Sequence, residues 1–381
     1  MAATTTNPLH NTHSPSDPAI SQTTITIAGI LCTIHGLSEL LPTTSSVACL
    51  WLLHPRLQKR ETMSPIAAQA IHTWNNHHRP SSNPHQGLIA VSFDQRNHGS
   101  RLVDALHNEA WRSGNPRHAP DMYSCYHGTA MDCSHLISHL ESYIFHTPKV
   151  TITQHLCLGI SLGGHATWHA LLSDPRITAG VVGIGCPDYT RLMTDRARLS
   201  KRESYTSSSP PGAKFLGSED FPPALLDAIA LSDPAGLLLP ACFSPLEPGK
   251  LSPEPDKQKL ERMRELVRER LGGKRILNLS GKVDRLVPYA AGEPFLKVFK
   301  KMVEDDPGLG IEFQDVLFEG VGHQFPKEMA DAAVRWLCEV LERGGGGAYF
   351  ICVCMYPTEY VPNLPIHMAP ASAPTSTLRS P

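Results

Sequence analysis

Apolar runs and helically spaced segments alternate along most of the chain. Runs rich in β-branched residues, which are typical of strands, occupy 23–34, 46–54, 87–94, 150–160, 177–187, 275–281 and 311–320. Apolar residues at helical spacing occupy 64–78, 128–144, 163–174, 292–305 and 327–344. Strands that alternate with helices favour the α/β class, with a mostly parallel central sheet and helices on both of its faces.

The alternation is interrupted between residues 187 and 272. This stretch contains the proline-rich sequences SSSPPG, LPACFSPLEPG and SPEPD, and it ends in an amphipathic helix within DKQKLERMRELVRERLGG. In that helix Leu260, Met263, Val267 and Leu271 share one face, and Gly272 supplies the stop. We interpret 187–272 as a lid insertion over the edge of the sheet, and not as a second domain.

Both ends of the chain lack the alternating pattern. Residues 1–21 are rich in Thr, Pro, Ser and Asn, and we expect them to form a disordered leader. Residues 344–381 begin with GGGG and continue as a low-complexity tail. The folded part is therefore expected to be a single α/β domain over 22–343.

Composition narrows the class of partner. The 381-residue chain has a formal net charge of −2, so no broad basic surface indicates binding to nucleic acid or to an anionic membrane. No apolar stretch approaches the roughly 20 residues that a membrane span needs, and the first 20 residues do not read as a signal peptide. The ten cysteines contain no C-x-x-C pair, which favours free thiols. We expect a cytoplasmic protein that acts on a small molecule; the sequence does not indicate its oligomeric state.

The sequence GISLGG is the first candidate for chemistry. Gly159, Ser161 and Gly163 fit the pattern G-x-S-x-G, in which a serine lies on a strained turn between a strand and a helix. Chance can produce this pattern, and the serine of such a turn can serve only as a helix cap. Here the predicted strand 150–160 precedes the serine and the predicted helix 163–174 follows it, which favours a nucleophile.

A serine hydroxyl needs a base to accept its proton and a carboxylate to orient that base. Asp284 follows strand 275–281 within SGKVDRLVP, and His323 follows strand 311–320 within GVGHQF. The carboxyl ends of parallel strands meet at one edge of a sheet, so these side chains are expected near Ser161. Asp188, within GIGCPDY, is an alternative for the acid.

The order Ser161, Asp284, His323 is that of the α/β-hydrolases, and from about 22 to 343 the chain resembles the α/β-hydrolase fold superfamily. The resemblance rests on GISLGG, GKVDRLVP, GVGHQF and FDQRNHGSR, the last of which is similar to that family's D-x-R-G-x-G-x-S turn. It implies a serine hydrolase that cleaves an ester-like acyl bond of a small organic substrate through an acyl-enzyme.

Other activities remain open on the same triad. They are acyl transfer, thioester cleavage and carbon–carbon hydrolysis, including the tailoring of secondary metabolites. A binding protein of this fold that has no catalytic activity is a further alternative.

The resemblance also implies an oxyanion hole made of two backbone N–H groups. One belongs to Leu162, the residue after the nucleophile. The other is expected in LLHPRLQ, where the family often has His-Gly-x. Pro55 replaces that glycine and has no N–H to donate, so we assign the second donor to Arg56, with Leu57 as the alternative.

Some polar residues near these motifs are expected to be structural. Asp94, Arg96 and His98 in DQRNHG suit a hydrogen-bonded loop scaffold, and His165 lies one helical turn after Ser161. No metal and no cofactor is expected. The histidines of HTWNNHHRP (His72, His77 and His78) have no carboxylate or cysteine at ligand spacing, and neither nucleotide-binding glycine motif occurs.

Overall fold

The computed structural model describes residues 7–14, 16–78, 86–239 and 257–344, all within one compact unit. Its strands form a sheet in the order β1-β2-β4-β3-β5-β6-β7-β8. The strands are β1 (Gln22–Ile27), β2 (Ile30–His35), β3 (Ser46–Leu53), β4 (Gln86–Phe93), β5 (Thr151–Ile160), β6 (Ile177–Gly183), β7 (Arg275–Gly281) and β8 (Glu312–Phe318). β2 is antiparallel to β1 and β4, and all the other pairs are parallel.

Helices cover both faces of this sheet. They are α1 (Ser64–Thr73), α2 (His118–Ile144), α3 (Leu162–Ser173), α4 (Tyr189–Leu199), α5 (Glu203–Thr206), α6 (Pro223–Ser232), α7 (Pro234–Leu238), α8 (Lys257–Leu271), α9 (Tyr289–Asp305) and α10 (Lys327–Glu342). α1 and α10 pack on one face, and α2, α3, α8 and α9 pack on the other. The predicted α/β class is confirmed. Among the described helices, none has the length and apolarity that crossing a membrane would require.

The central strands are apolar throughout because both of their faces are covered. Along β3, alternate side chains enter the two different cores. One core receives Val47, Cys49, Trp51 and Leu53, and the other receives Ala48, Leu50 and Leu52. An uninterrupted apolar run is therefore the sequence signature of a strand at the middle of this sheet.

Two predicted segments differ in detail from the structure. The apolar run 23–34 forms two strands, because the chain reverses at Ala28 and Gly29, whose φ angles are 48° and 79°. The helix predicted over 128–144 begins ten residues earlier, at His118. Its first turns contain polar residues as well as buried ones, which hides the apolar period there.

Helix α8 was expected to be part of the insertion, and the structure places it in the main core. Met263, Val267 and Leu271 are buried in the cluster that also contains the apolar side chains of α3. α8 thus lies in the crossover that two neighbouring parallel strands, β6 and β7, require. In the described part of 187–272, the helices before α8 are α4 to α7, and they contribute buried side chains such as Leu192, Ile229 and Leu238 to the same cluster.

The described part of the expected disordered leader is packed against the domain, so that expectation is wrong for these residues. Thr12 donates its hydroxyl to the carbonyl of Phe325 at 2.5 Å, and the N–H of Phe325 donates to the carbonyl of Pro8 at 2.9 Å. Leu9 and Ile20 are buried. Apolar residues scattered among polar ones carry no period, which is why the sequence does not reveal this packing. The predicted tail lies outside the described residues from 345 onward.

Candidate active site

Ser161 occupies the turn between β5 and α3 in a conformation that side chains rarely adopt. Its φ is 57° and its ψ is −112°. The backbone N–H of Ser161 donates to the carbonyl of Gly183 at 2.8 Å, which fixes the turn against β6. A Cβ on Gly159 would overlap the carbonyl of Gly163, and a Cβ on Gly163 would overlap the carbonyl of Leu53. Both glycines are therefore required by close backbone approach.

The structure brings the three predicted triad residues together. Oγ of Ser161 lies 2.9 Å from Nε2 of His323, and Nδ1 of His323 lies 2.7 Å from Oδ2 of Asp284. Ser161 follows β5, Asp284 follows β7 and His323 follows β8. These three strands are parallel members of one sheet, with β6 between β5 and β7, so they deliver the three residues to the same edge. The chain of contacts has the geometry of a nucleophile, a base and an orienting acid.

The carboxylate of Asp284 is buried and held in place by its own turn. Its Oδ1 accepts hydrogen bonds from the backbone N–H groups of Leu286 at 2.8 Å and Val287 at 2.9 Å. This leaves Oδ2 to accept from the imidazole of His323. Because Nδ1 then carries the proton, Nε2 presents its lone pair to the hydroxyl of Ser161.

Asp188, the alternative acid, is occupied elsewhere. Its side chain accepts from the backbone N–H of Arg191 at 2.9 Å and caps the start of α4. Burial raises the pKa of Asp188 to about 7, and the nearby carboxylate of Asp233 adds to that rise. The imidazole of His323 pairs with Asp284 instead. The geometry therefore favours Asp284 as the orienting acid.

The two predicted oxyanion donors lie at the start of α3 and in the loop after β3. Leu162 is the first residue of α3, where backbone N–H groups have no acceptor within the helix. Arg56 lies in the loop after β3, and in the described part of the chain its backbone N–H donates no hydrogen bond. The neighbouring Leu57 has a φ of 62°, a conformation that more often belongs to glycine.

His54 holds the loop after β3 in place through a set of buried hydrogen bonds. Its Nε2 accepts from the backbone N–H of Gln95 at 2.9 Å, and its Nδ1 donates to the carbonyl of Pro55 at 2.8 Å. The side-chain amide of Gln95 also donates to the carbonyl of His54. Burial lowers the pKa of His54 to about 4, so the ring is neutral near pH 7 and can accept and donate in this way. A buried histidine and a proline thus fix the loop that carries Arg56.

The loop after β4 is the scaffold that the sequence predicts. Asp94 accepts from the backbone N–H of Arg60 at 2.8 Å, from the guanidinium of Arg60 at 2.6 Å and from the hydroxyl of Ser100 at 2.7 Å. Burial acts to raise the pKa of Asp94, but these donors outweigh it and the pKa is lowered. Arg96 makes a two-pronged ion pair with Asp132 of α2. These contacts tie the loop to its surroundings and leave none of its acids at the triad.

His165 is structural, on the evidence of its contacts. It is buried on α3, its Nδ1 lies 3.0 Å from the carbonyl of Cys186, and burial lowers its pKa to about 3. His169 lies one turn further along α3 and is also buried, with Nε2 at 3.9 Å from Oδ1 of Asp233. These groups lie behind the nucleophile within a cluster of aromatic rings that includes Tyr126.

One residue beside the site was missed by the sequence reading. Arg196 lies on α4, and its guanidinium donates to the carbonyl of Leu286 at 3.1 Å, in the turn that holds Asp284. Its helical spacing from Leu192 and Met193, both buried, places the arginine on the apolar face of α4. A charged residue at a buried position was the available signal.

Comparison with known proteins gives structural likeness without a close relative. No protein-family model matches the chain, and no curated protein matches it. TT1662 from Thermus thermophilus is similar at 16% identity over 84% of this chain and 97% of that chain, with a TM-score of 0.47. Acylaminoacyl peptidase from Pyrococcus horikoshii is similar at 13% identity, over 84% of this chain and 41% of that chain, with a TM-score of 0.43.

Dipeptidyl peptidase 4 from Porphyromonas gingivalis is similar at 14% identity, over 84% of this chain and 35% of that chain, with a TM-score of 0.45. The chain spans less than half the length of these two peptidases. The fold is recognised from this chain's own structure. The features that define it are the strand order, the strained serine between β5 and α3, and the positions of Asp284 and His323 after β7 and β8. The chain has the α/β-hydrolase fold.

Proposed function

We propose that the chain is a serine hydrolase that cleaves an ester-like acyl bond of a small organic substrate. The observation that carries the proposal is the continuous contact from Ser161 through His323 to Asp284, at 2.9 and 2.7 Å. No cofactor enters the proposal, because a serine triad can carry acyl transfer by itself.

In the first half of the reaction, Oγ of Ser161 attacks the carbonyl carbon and its proton moves to Nε2 of His323. The carbonyl oxygen becomes negatively charged, and the backbone N–H groups of Leu162 and Arg56 donate to it. Collapse of this intermediate breaks the bond to the leaving group, which takes the proton from His323. The acyl group is then an ester of Ser161.

In the second half, water attacks the acyl-enzyme. His323 accepts a proton from the water, the bond between Oγ and the acyl carbon breaks, and the proton passes to Oγ. The products are the carboxylic acid and the original serine hydroxyl. Asp284 keeps its charge throughout and stabilises the imidazolium each time it forms.

Labelling by a fluorophosphonate probe tests the nucleophile directly. The wild-type chain should be labelled and Ser161→Ala should not, with the fold of both proteins checked by circular dichroism. Ser124→Ala, which changes an exposed serine on α2, is the matched control and should be labelled normally. Labelling that survives in Ser161→Ala would overturn the assignment.

A panel of esters and thioesters of varied acyl length then tests the reaction class. Hydrolysis predicts the free acid as the main product when water competes with an added alcohol or amine. A main product that carries the acyl group on the added acceptor would show acyl transfer instead.

We propose that α4 to α7 cover the active site as a lid. Support comes from the contact of Arg196 on α4 with the turn that holds Asp284. α6 also reaches α2, where the hydroxyl of Tyr123 lies 2.7 Å from that of Ser232.

We further propose a cytoplasmic location, because the described cysteines are free and buried.

A further inference from the structure

A small cavity beside the triad is lined by arginines. We call it the arginine pocket. Its volume is about 100 Å³, against roughly 30 Å³ for one water molecule in the liquid. Four guanidinium-bearing residues line it, and no aspartate or glutamate does. They are Arg56, Arg112, Arg196 and Arg285, and they are accompanied by Ala110, Trp111, His118, Leu199, Ser200 and Leu286.

The pocket shares residues with the catalytic loops. Arg56 is the predicted second oxyanion donor through its backbone N–H. Leu286, on the other side, donates its backbone N–H to Asp284 at 2.8 Å. A group bound in the arginine pocket therefore lies next to both the oxyanion loop and the turn of the triad acid.

Arg196 is partly buried and has unused hydrogen-bonding capacity. It donates to Nε2 of His118 at 3.3 Å and to the carbonyl of Leu286 at 3.1 Å, both of which are neutral acceptors. Its Nε is buried and has no hydrogen-bond partner among the described residues. Burial lowers the pKa of His118 well below its usual range, so this ring does not compete as a cation.

The guanidinium of Arg56 likewise donates to a neutral acceptor. Its guanidinium donates to the carbonyl of Asn108 at 2.6 Å and forms no ion pair with a carboxylate in the described part of the chain. Burial and the charge of Arg196 lower its pKa to about 10, and the charge of Glu109 acts in the opposite direction. These two cations repel each other across one small cavity and lack a counter-ion in contact, although Glu109 acts on Arg56 and Asp284 acts on Arg196 from a greater distance.

The remaining arginines add to the positive charge at the mouth of the pocket. Arg112 is exposed and donates to the carbonyl of Leu199. Arg285 is exposed, next to Asp284 in sequence, and forms no ion pair among the described residues. Elsewhere the chain pairs its arginines readily, as Arg202 does with Asp220 at 2.6 Å. Among the described residues, none of the four arginines that line the pocket has a carboxylate in ion-pair contact.

We propose that the arginine pocket binds a carboxylate of the substrate, so that the enzyme acts on acyl compounds that carry a negative charge close to the bond it cleaves. This proposal rests on the proposed hydrolase function and names its substrate class. A planar carboxylate matches the fork of a guanidinium and supplies the counter-ion that Arg56 and Arg196 lack.

Two matched substrate pairs test the proposal on either side of the scissile bond. The acyl-side pair is p-nitrophenyl hydrogen glutarate and its neutral methyl ester. The pair for the leaving group is m-carboxyphenyl butyrate and its neutral methyl ester. In at least one pair, kcat/KM should be tenfold or more higher for the charged member, because only that member can occupy the pocket as an anion.

Each arginine variant is judged by the ratio of kcat/KM for the charged substrate to kcat/KM for its neutral methyl ester. An effect of the substitution on the triad changes both values equally and cancels in this ratio. Arg196→Met should reduce the ratio at least tenfold. Arg285→Met, which changes an exposed side chain, should reduce it by a smaller factor and keeps the test valid if Arg196→Met does not fold. Arg198→Met is the matched control, since Arg198 lies on the same helix, outside the pocket, and pairs with Asp195.

The proposal is overturned by a ratio near one for both pairs in the wild-type protein. It is also overturned by an equal fall in the ratio for Arg198→Met and Arg196→Met, which would show only a general effect of charge. Fluorophosphonate labelling separates this result from failure of the hydrolase proposal, because that probe carries no carboxylate. Labelling of Ser161 without any charge preference removes the pocket proposal alone.

Discussion

Nδ1 of His323 lies 2.7 Å from Oδ2 of Asp284, while Oδ1 of the same carboxylate accepts two backbone N–H groups. One oxygen of Asp284 is thereby committed to its own turn and the other to the imidazole. This division fixes the orientation of the ring and directs Nε2 to the hydroxyl of Ser161 at 2.9 Å. The triad therefore depends on the hydrogen-bonding character of each oxygen of Asp284 as well as on the negative charge of the carboxylate.

Replacement of Asp284 by asparagine should reduce kcat by about 10³- to 10⁴-fold. The backbone N–H groups of Leu286 and Val287 will hold the amide oxygen of the new side chain, so its NH₂ group must face Nδ1. An NH₂ group there favours the wrong tautomer of His323. Steady-state kinetics with a neutral p-nitrophenyl ester measures the effect, and KM should change little because the substrate does not touch this residue.

Asp188→Asn is the matched control for the triad acid. An asparagine can accept from the N–H of Arg191 as the present cap does, so α4 should remain intact. We expect kcat within about threefold of wild type, an effect no larger than that of one typical hydrogen bond. A loss as large as that of Asp284→Asn would transfer the role of the acid to Asp188.

Substitution of Gly163 by alanine should destabilise the chain by more than about 3 kcal/mol. The added Cβ would overlap the backbone carbonyl of Leu53 on β3, and a backbone atom in the middle of a sheet cannot move aside as a side chain can. Chemical denaturation followed by circular dichroism gives the free energy of unfolding. Gly308→Ala, where the nearest group is the side chain of Asp306, should cost far less. Equal costs for the two variants would contradict the close approach of α3 to β3.

Most of the fold could be predicted because its central strands are buried on both faces. A run such as 46–53 has no alternation to interpret and is recognised by its length and its continuous apolar character. The proximity of the three candidate triad residues could be predicted because each one follows a parallel strand, and the carboxyl ends of parallel strands meet at one edge of the sheet. Local sequence therefore carried the information about both the element and the position of the side chain within the sheet.

The rest depended on contacts that no local pattern encodes. The packing of Thr12 on Phe325 joins residues 313 positions apart, and the burial of α8 depends on which strands its crossover joins. Arg196 was hidden for the same reason, since its role follows from a contact with Leu286, which lies in the turn after β7. Proline-rich sequence around a helix predicts irregular connections and gives no information about what that helix packs against.

Arg56→Pro should slow fluorophosphonate labelling and reduce kcat for a neutral ester by about 10²- to 10³-fold. Proline removes the backbone N–H that is predicted to donate to the oxyanion. Arg56→Met keeps that N–H and removes only the guanidinium, so it is the matched variant and should retain most of the activity on the neutral ester. If both variants are equally active, the donor is not Arg56, and Leu57 is the next candidate.

Stability should fall as the pH rises from about 6.5 to about 8, and Asp233 should cause much of the fall. Burial raises the pKa of Asp233 to about 8, despite hydrogen bonds from backbone N–H groups such as that of Gly236, whereas an unfolded chain has an aspartate pKa of about 3.9. The folded state therefore binds more protons than the unfolded state over this range, and stability declines with pH until Asp233 ionises in the folded state as well. The ring of His169 does not compensate, because burial lowers its pKa to about 3 and keeps it neutral.

Asp233→Asn should flatten this dependence. An asparagine keeps an acceptor for the N–H of Gly236 and cannot ionise, so the Tm of the variant relative to wild type should rise steadily from about pH 6.5 to about pH 8. Asp227→Asn, an exposed change on the neighbouring helix α6, should keep the wild-type slope. Thermal unfolding of the three proteins across the range measures the slopes, and parallel curves for wild type and Asp233→Asn would show that Asp233 is not the titrating group. Part of the pH dependence should survive in Asp233→Asn, because Asp188 also titrates in this range. Burial and the charge of Asp233 together raise the pKa of Asp188 to about 7, and the substitution removes the charge of Asp233 but leaves the burial.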